Sequence, residues 1–173
     1  MRLATVDLTQ VTRDALAEWE PRLRVAGLTV VARLADPVWV RADAGRLHQA
    51  VGNLLANSAR YCRPGDSVTL IVSADDGQAV LCVADTGPGI TADELPHVFD
   101  RLWRGRDAAG ISGSGIGLAL VREIAASHGG TADAASLPGQ GMTIAIRLPV
   151  ARRPDPGRAP GASSGSGGFG LRG

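Results

Sequence analysis

Leu8, Val11, Ala15, Trp19 and Leu23 recur three and four residues apart, a spacing that lines one helix face, with Thr9 as the candidate N-cap. Gly27 breaks the pattern, and residues 28–32 read as a strand. Pro37 and the short apolar run 38–40 mark a further extended piece. Asp43 opens a second helix with Leu47, Ala50, Val51, Leu54, Leu55 and Ser58 inward, closed by the turn residues Pro64-Gly65-Asp66. Two β-rich runs, 68–74 and 79–84, flank Asp75-Asp76-Gly77, whose Asp-Gly step predicts a hairpin. A glycine-rich irregular stretch covers 85–113. A third helix follows with Ile116, Leu120, Ile124 and Ala125 inward, ending at His128-Gly129-Gly130. Residues 131–136 and 142–148 read as a closing antiparallel pair joined through Pro138-Gly139. This pattern predicts an α+β fold: a two-layer α/β sandwich with a mixed, mostly antiparallel sheet covered on one face by about three helices.

Composition narrows the picture. Of 173 residues 45% are apolar but only 3% aromatic, so one domain can form around an aliphatic core. Eighteen basic residues against seventeen acidic ones leave no global field for nucleic acid or an anionic membrane, so any anion site is local. Cys62 and Cys82 form no C-x-x-C pair and read as reduced structural thiols of a cytoplasmic protein. No signal peptide follows the first residues, and no apolar run approaches the roughly 18 residues of a membrane span. The expected organisation is one domain over 1–150 and a disordered Gly/Pro/Arg-rich tail over 151–173.

The chemistry concentrates in five places. Arg46, Asn53, Asn57 and Arg60 fall on one stripe of the second helix, beside its apolar face. An amide oxygen is a hard neutral ligand suited to Mg²⁺, and a neighbouring cation suits phosphate. Taken alone, such a stripe is a solvated helix edge. Asp85, at a strand end, can accept from an exocyclic amine, while Gly87 and Gly89 let the backbone pass close to a flat ligand. Gly113-Ser-Gly115-Ile-Gly117-Leu118 frees backbone N–H groups at a helix N-terminus, a phosphate-binding design that matches neither a Walker A loop nor a dinucleotide fingerprint. Between them lies Phe99-Asp-Arg101-Leu-Trp103-Arg104, whose arginines can reach phosphate oxygens from a lid. Thr143, after Gly139-Gln-Gly141-Met142, is a candidate partner for a purine ring.

In this order the motifs closely resemble the boxes of the ATP-binding domain of bacterial sensor histidine kinases, in the family shared by gyrase, Hsp90, MutL and histidine kinases. The likeness runs from about Val6 to Pro149. It implies ATP and Mg²⁺ as ligands, with Asn57 holding the metal and Asp85 anchoring adenine. Arg60 and Arg104 would then touch phosphates, and Tyr61 and Ile90 would pack near the base. Arg60 stands where lysine is common, which keeps the charge and adds a bidentate fork. Ser58 and Ile116 replace the usual Ala and Leu.

The ATPases of that superfamily carry a Glu four residues before the metal-binding Asn. Here the position is Asn53, an amide that takes no proton at neutral pH. A histidine acceptor is already nucleophilic as neutral imidazole and makes less demand for a base. His48, His97 and His128 each lack the adjacent acidic residue expected beside a phosphoacceptor, and His128 is expected to face helix C-terminal carbonyls. The expectation is therefore a protein-histidine kinase module of a two-component system. It would act on a helical hairpin of a partner chain, and through it on a response regulator, with the isolated chain a monomer. The preferred arrangement is the ATP-binding half of a split kinase; the alternatives are a fragment of a one-chain kinase and a non-catalytic ATP-binding regulatory module.

Overall fold

The structure, a computed structural model, describes residues 1–101 and 117–157. Seven strands and three helices alternate in it: β1 Ala4–Asp7, α1 Leu8–Val25, β2 Thr29–Leu34, β3 Trp39–Ala42, α2 Ala44–Tyr61, β4 Ser67–Asp75, β5 Gln78–Asp85, α3 Gly117–Ser127, β6 Thr131–Leu137 and β7 Gly141–Pro149, with one 3₁₀ turn at Leu95–His97. Five strands form one sheet in the order β2-β4-β5-β7-β6. Only β2 and β4 run parallel, as the intervening α2 crossover requires. The remaining pairs are antiparallel, so the expected two-layer architecture holds.

Strand alternation decides which face the helices cover. Val68, Leu70 and Val72 of β4, Ala79, Leu81 and Val83 of β5, and Ile144, Ile146 and Leu148 of β7 are all buried, one residue in two. They meet Leu47, Val51, Leu54 and Leu55 of α2, Leu16 and Leu23 of α1, and Val121, Ile124 and Ala125 of α3 in one core. A Cβ on Gly52 would stand 3.1 Å from Trp19 Nε1, so this position lets α1 lie close on α2. The β4–β5 turn takes positive φ at both Asp76 (50°) and Gly77 (76°), the hairpin conformation the Asp-Gly step predicts.

Two expectations need correction. Asp7, not Thr9, caps α1: its carboxylate accepts from Thr9 N–H at 3.0 Å and from Val38 N–H at 3.1 Å. Thr9 is buried and its hydroxyl donates to Ala35 O at 3.2 Å. Second, α3 buries Leu118 and Val121 with Ile124 and Ala125, whereas Leu120 is only half-buried and Ile116 lies outside the described residues. One element was not anticipated: residues 4–7 form a strand that pairs antiparallel with β3. The residues after β7 join that small sheet to the main one: Val150 N–H donates to Gly77 O of the β4–β5 turn, and Ala151 N–H to Trp39 O of β3. Residues 158–173 of the expected tail lie outside the described residues.

Candidate functional site

Helix α2 is amphipathic by necessity, since one side packs into the core and the neighbouring stripe reaches its rim. Asn53 and Asn57 are half-buried on that rim and Arg60 is exposed in the last turn, followed by half-buried Tyr61. Asn53 Nδ2 donates to the carbonyl of Gly117, the first residue of α3, at 3.4 Å. Four residues on, the side chain of Asn57 makes no hydrogen bond among the described residues, and Arg60 makes no ion pair. At the far end, Cys62 closes α2 against the first glycine loop: a Cβ on Gly87 would lie 3.0 Å from its Sγ.

Asp85 ends β5 in phase with Leu81 and Val83, so its carboxylate projects to the helix-covered face. Gly87 N–H donates to Oδ1 at 3.0 Å and Met142 N–H to the same oxygen at 3.3 Å. Burial lifts the carboxyl above the ordinary aspartate value, and these two N–H groups oppose the shift. Burial, then the Asp85 charge beside it, pushes the Cys62 thiol up to about 12.

The β6–β7 turn lies against this loop. Gly139 N–H donates to Pro88 O at 2.7 Å, and Ile90 N–H donates to Ser136 Oγ at 2.8 Å. Gly89 and Gly141 both have positive φ, and a Cβ on Gly141 would overlap the Asp85 carbonyl. Here only glycine fits. Ile90 packs against the core edge.

In the structure Asn53 meets Gly117 at the middle of α2, Asp85, Gly87, Gly89 and Ile90 gather by Cys62 at its C-terminal end, and Asn57 lies between the two contacts. It does not bring all the expected residues there. Thr143 pairs with Ala84, one out of phase with Asp85, so its side chain lies on the sheet face away from the helices. The backbone N–H of Met142 is what reaches Asp85 from β7. The Leu118 side chain is core. Arg101 pairs with Glu123 of α3 at 3.1 Å, beside the Arg122 guanidinium lying 5.8 Å over the Phe99 ring. Arg104, Gly113 and Gly115 lie outside the described residues. Ser136 was not anticipated. The one available sign was a polar residue in the inward register of β6, after Ala132 and Ala134.

A helix rim with a free amide, a half-buried carboxylate at a strand end and a glycine loop packed against the last turn of that helix are features of a nucleotide-binding α/β sandwich. The chain belongs to the family of histidine kinase-, DNA gyrase B- and HSP90-like ATPases, whose pattern matches residues 42–152, and it is an ATP-binding catalytic domain of the sensor histidine kinase branch. It is 35% identical to the signal transduction histidine-protein kinase BaeS of Escherichia coli K12 over 151 residues, which cover 86% of this chain and 32% of BaeS. The mycobacterial sensor histidine kinase MprB superposes with a TM-score of 0.76 at 32% identity, covering 85% of this chain and 98% of that one. Full-length ShkA in complex with AMPPNP superposes with a TM-score of 0.77 at 30% identity, covering 90% of this chain and 33% of ShkA. The chain thus spans about a third of BaeS.

Proposed function

We propose that the chain binds Mg-ATP and transfers the γ-phosphoryl group to a histidine on a partner chain, within a two-component signalling system. The observation that carries this reading is the position of Asn57. It stands one turn from the Asn53–Gly117 contact and one turn from the Cys62–Gly87 contact, its amide unpaired among the described residues. The AMPPNP bound to ShkA, a 30% identical relative, supports the same ligand class.

In this reading Asp85 accepts from the adenine amine, Gly87, Gly89 and Ile90 line the base with Tyr61, and Arg60 and Arg104 neutralise phosphate charge. The amides of Gly113, Gly115 and Gly117, with Leu118 next to them, cradle the phosphates. The described residues hold no group of three His, Cys, Asp or Glu able to cage a metal. A neutral amide oxygen at Asn57 suits an ion that arrives on the phosphates, as Mg²⁺ does. The ion would supply charge neutralisation on the transferred group. Asn53 points its amide nitrogen at a backbone carbonyl and offers no base for water, which favours a nucleophile that needs none.

The three histidines of the chain support an acceptor elsewhere. His128 is buried with Nε2 accepting from Asp43 N–H at 3.0 Å and Nδ1 at 2.7 Å from Ile124 O. His48 Nε2 lies 2.7 Å from Glu18 and His97 Nδ1 2.9 Å from Asp100. The partner is a helical hairpin carrying the phosphoacceptor, coupled in turn to a response regulator, and the chain acts in the cytoplasm as a monomer. No helix among the described residues is long and apolar enough to cross a membrane.

The test mixes the chain with ATP, Mg²⁺ and candidate hairpin proteins and measures acid-labile phosphate on the hairpin. Labelling that survives His97→Ala supports transfer in trans. Tight ATP binding with no labelled hairpin would favour a regulatory module instead.

A further inference from the structure

One hydroxyl joins the first glycine loop to the β6–β7 turn. Ser136 Oγ accepts from Ile90 N–H at 2.8 Å and donates to Gly141 O, also at 2.8 Å. Both of its hydrogen-bonding functions are thus spent, one on the first glycine loop and one on the turn that opens β7. The next residue along, Met142, gives its N–H to Asp85 Oδ1. A short chain of bonds therefore runs from Ile90 through Ser136, Gly141 and Met142 to Asp85. The packing leaves the glycine loop little room to adjust: a Cβ on Gly89 would meet Leu137 O and come within 2.9 Å of both Ser136 Oγ and Gly141 O.

We propose that Ser136 is a positioning residue for the adenine base, holding the Asp85 carboxylate and the Gly89-Ile90 backbone at the separation a purine needs. The inference rests on the nucleotide-binding reading above. Its physical basis is that Ile90 N–H, half-buried, has Ser136 as its acceptor, and that Gly141 O accepts from the same hydroxyl. Removing the hydroxyl strands both groups, and the loop and turn can satisfy them only by moving apart. That movement shifts Met142 N–H and leaves the Asp85 carboxylate with one of its two backbone donors, Gly87 N–H. Phosphate contacts, which in this reading come from α2 and the start of α3, are untouched.

The experiment measures dissociation constants for ADP and for inorganic tripolyphosphate, each with Mg²⁺, on the whole chain and on Ser136→Ala and Ser136→Thr, with a melting curve for each. Ser136→Ala is expected to weaken ADP by on the order of tenfold and tripolyphosphate by less than about twofold. Ser136→Thr keeps the hydroxyl on a strand position and is expected to restore ADP to within about threefold of the original. ADP affinity unchanged in a folded Ser136→Ala chain overturns the inference, as does an equal loss for both ligands, which would mark general loosening. A parent chain that binds no ADP overturns the proposed function itself, and this inference with it.

Discussion

The backbone N–H of Asp43 donates to Nε2 of His128 at 3.0 Å, across 85 residues of sequence. Asp43 caps α2 and His128 follows α3, so this bond ties the start of one helix to the end of another. The ring proton sits on Nδ1, directed at Ile124 O. The Asp43 carboxylate meanwhile accepts Arg2 N–H at 2.7 Å and Arg46 N–H at 3.1 Å, and these bonds hold its carboxyl below the ordinary value.

His128→Ala should therefore cost stability without touching the nucleotide pocket. It leaves the Asp43 N–H without its acceptor and opens a void at a buried position, a loss of about 2 kcal/mol. Chemical denaturation measures it. A change below about 0.5 kcal/mol would show that the bond is not made in solution.

Asn57→Ala and Asn57→Asp should behave in the opposite way. The amide makes no bond among the described residues, so the folded state should change by less than about 0.5 kcal/mol. Nucleotide binding that depends on Mg²⁺ should vanish. Titration calorimetry with and without the ion separates the two effects, and retention of Mg²⁺-dependent binding would remove Asn57 from the site.

Burial of the Asp85 carboxylate carries a stability cost. Its folded carboxyl is raised above the ordinary aspartate value, first by desolvation, so burial favours the protonated form. The associated destabilisation is absent below the unfolded value and grows as pH rises through the folded one. Asp85→Asn keeps an oxygen for Gly87 and Met142 and carries no charge. At pH 7 it should be at least as stable as the parent, an advantage that disappears near pH 3, while adenine nucleotide binding is lost. Melting curves at the two pH values would contradict this if the variant were weaker at pH 7.

The Cys62 thiol, raised from 9.0 to about 12, should resist alkylation. At pH 8 its thiolate fraction is on the order of a thousandfold below that of an unperturbed thiol. Iodoacetamide followed by mass mapping should find Cys62 unmodified long after a free cysteine has reacted. Rapid labelling would mean that α2 does not close on the first glycine loop as described.

Gly141→Ala should damage both stability and binding. The added methyl meets the Asp85 carbonyl, at a backbone φ of 92° that L residues rarely adopt. The expected loss is at least about 2 kcal/mol, with weaker ADP binding. By contrast Gly65→Ala meets nothing nearby and should cost only its backbone strain at φ 95°.

Much of this molecule is legible from local patterns. The helical repeats of α1 and α2, the Asp43 cap, the Asp-Gly hairpin and the Gly129 helix stop all depend on residues a few positions apart, and each forms where such patterns predict. Thr9 shows the limit. Asp7 and Thr9 are both good caps, and the choice went to Asp7 because it also satisfies Val38, a residue 31 positions away. The short strand β1 is likewise invisible alone, since its partner β3 and the nearby Val150 come from distant parts of the chain.

For the site, the order and spacing of the asparagines, Asp85 and the glycines are local facts, and it was their resemblance to the histidine kinase boxes that pointed to the ligand class. Which residues share a strand face is also local, because side chains alternate. Which face the helices cover is not. Packing alone decides that Asp85 looks inward and Thr143 outward. Only tertiary structure, too, sets Ser136 against Ile90 across 46 residues and turns Asn53 toward Gly117. A hydrogen bond acts over about 3 Å of space and has no preference for neighbours along the chain, so it leaves no trace in a short window of sequence.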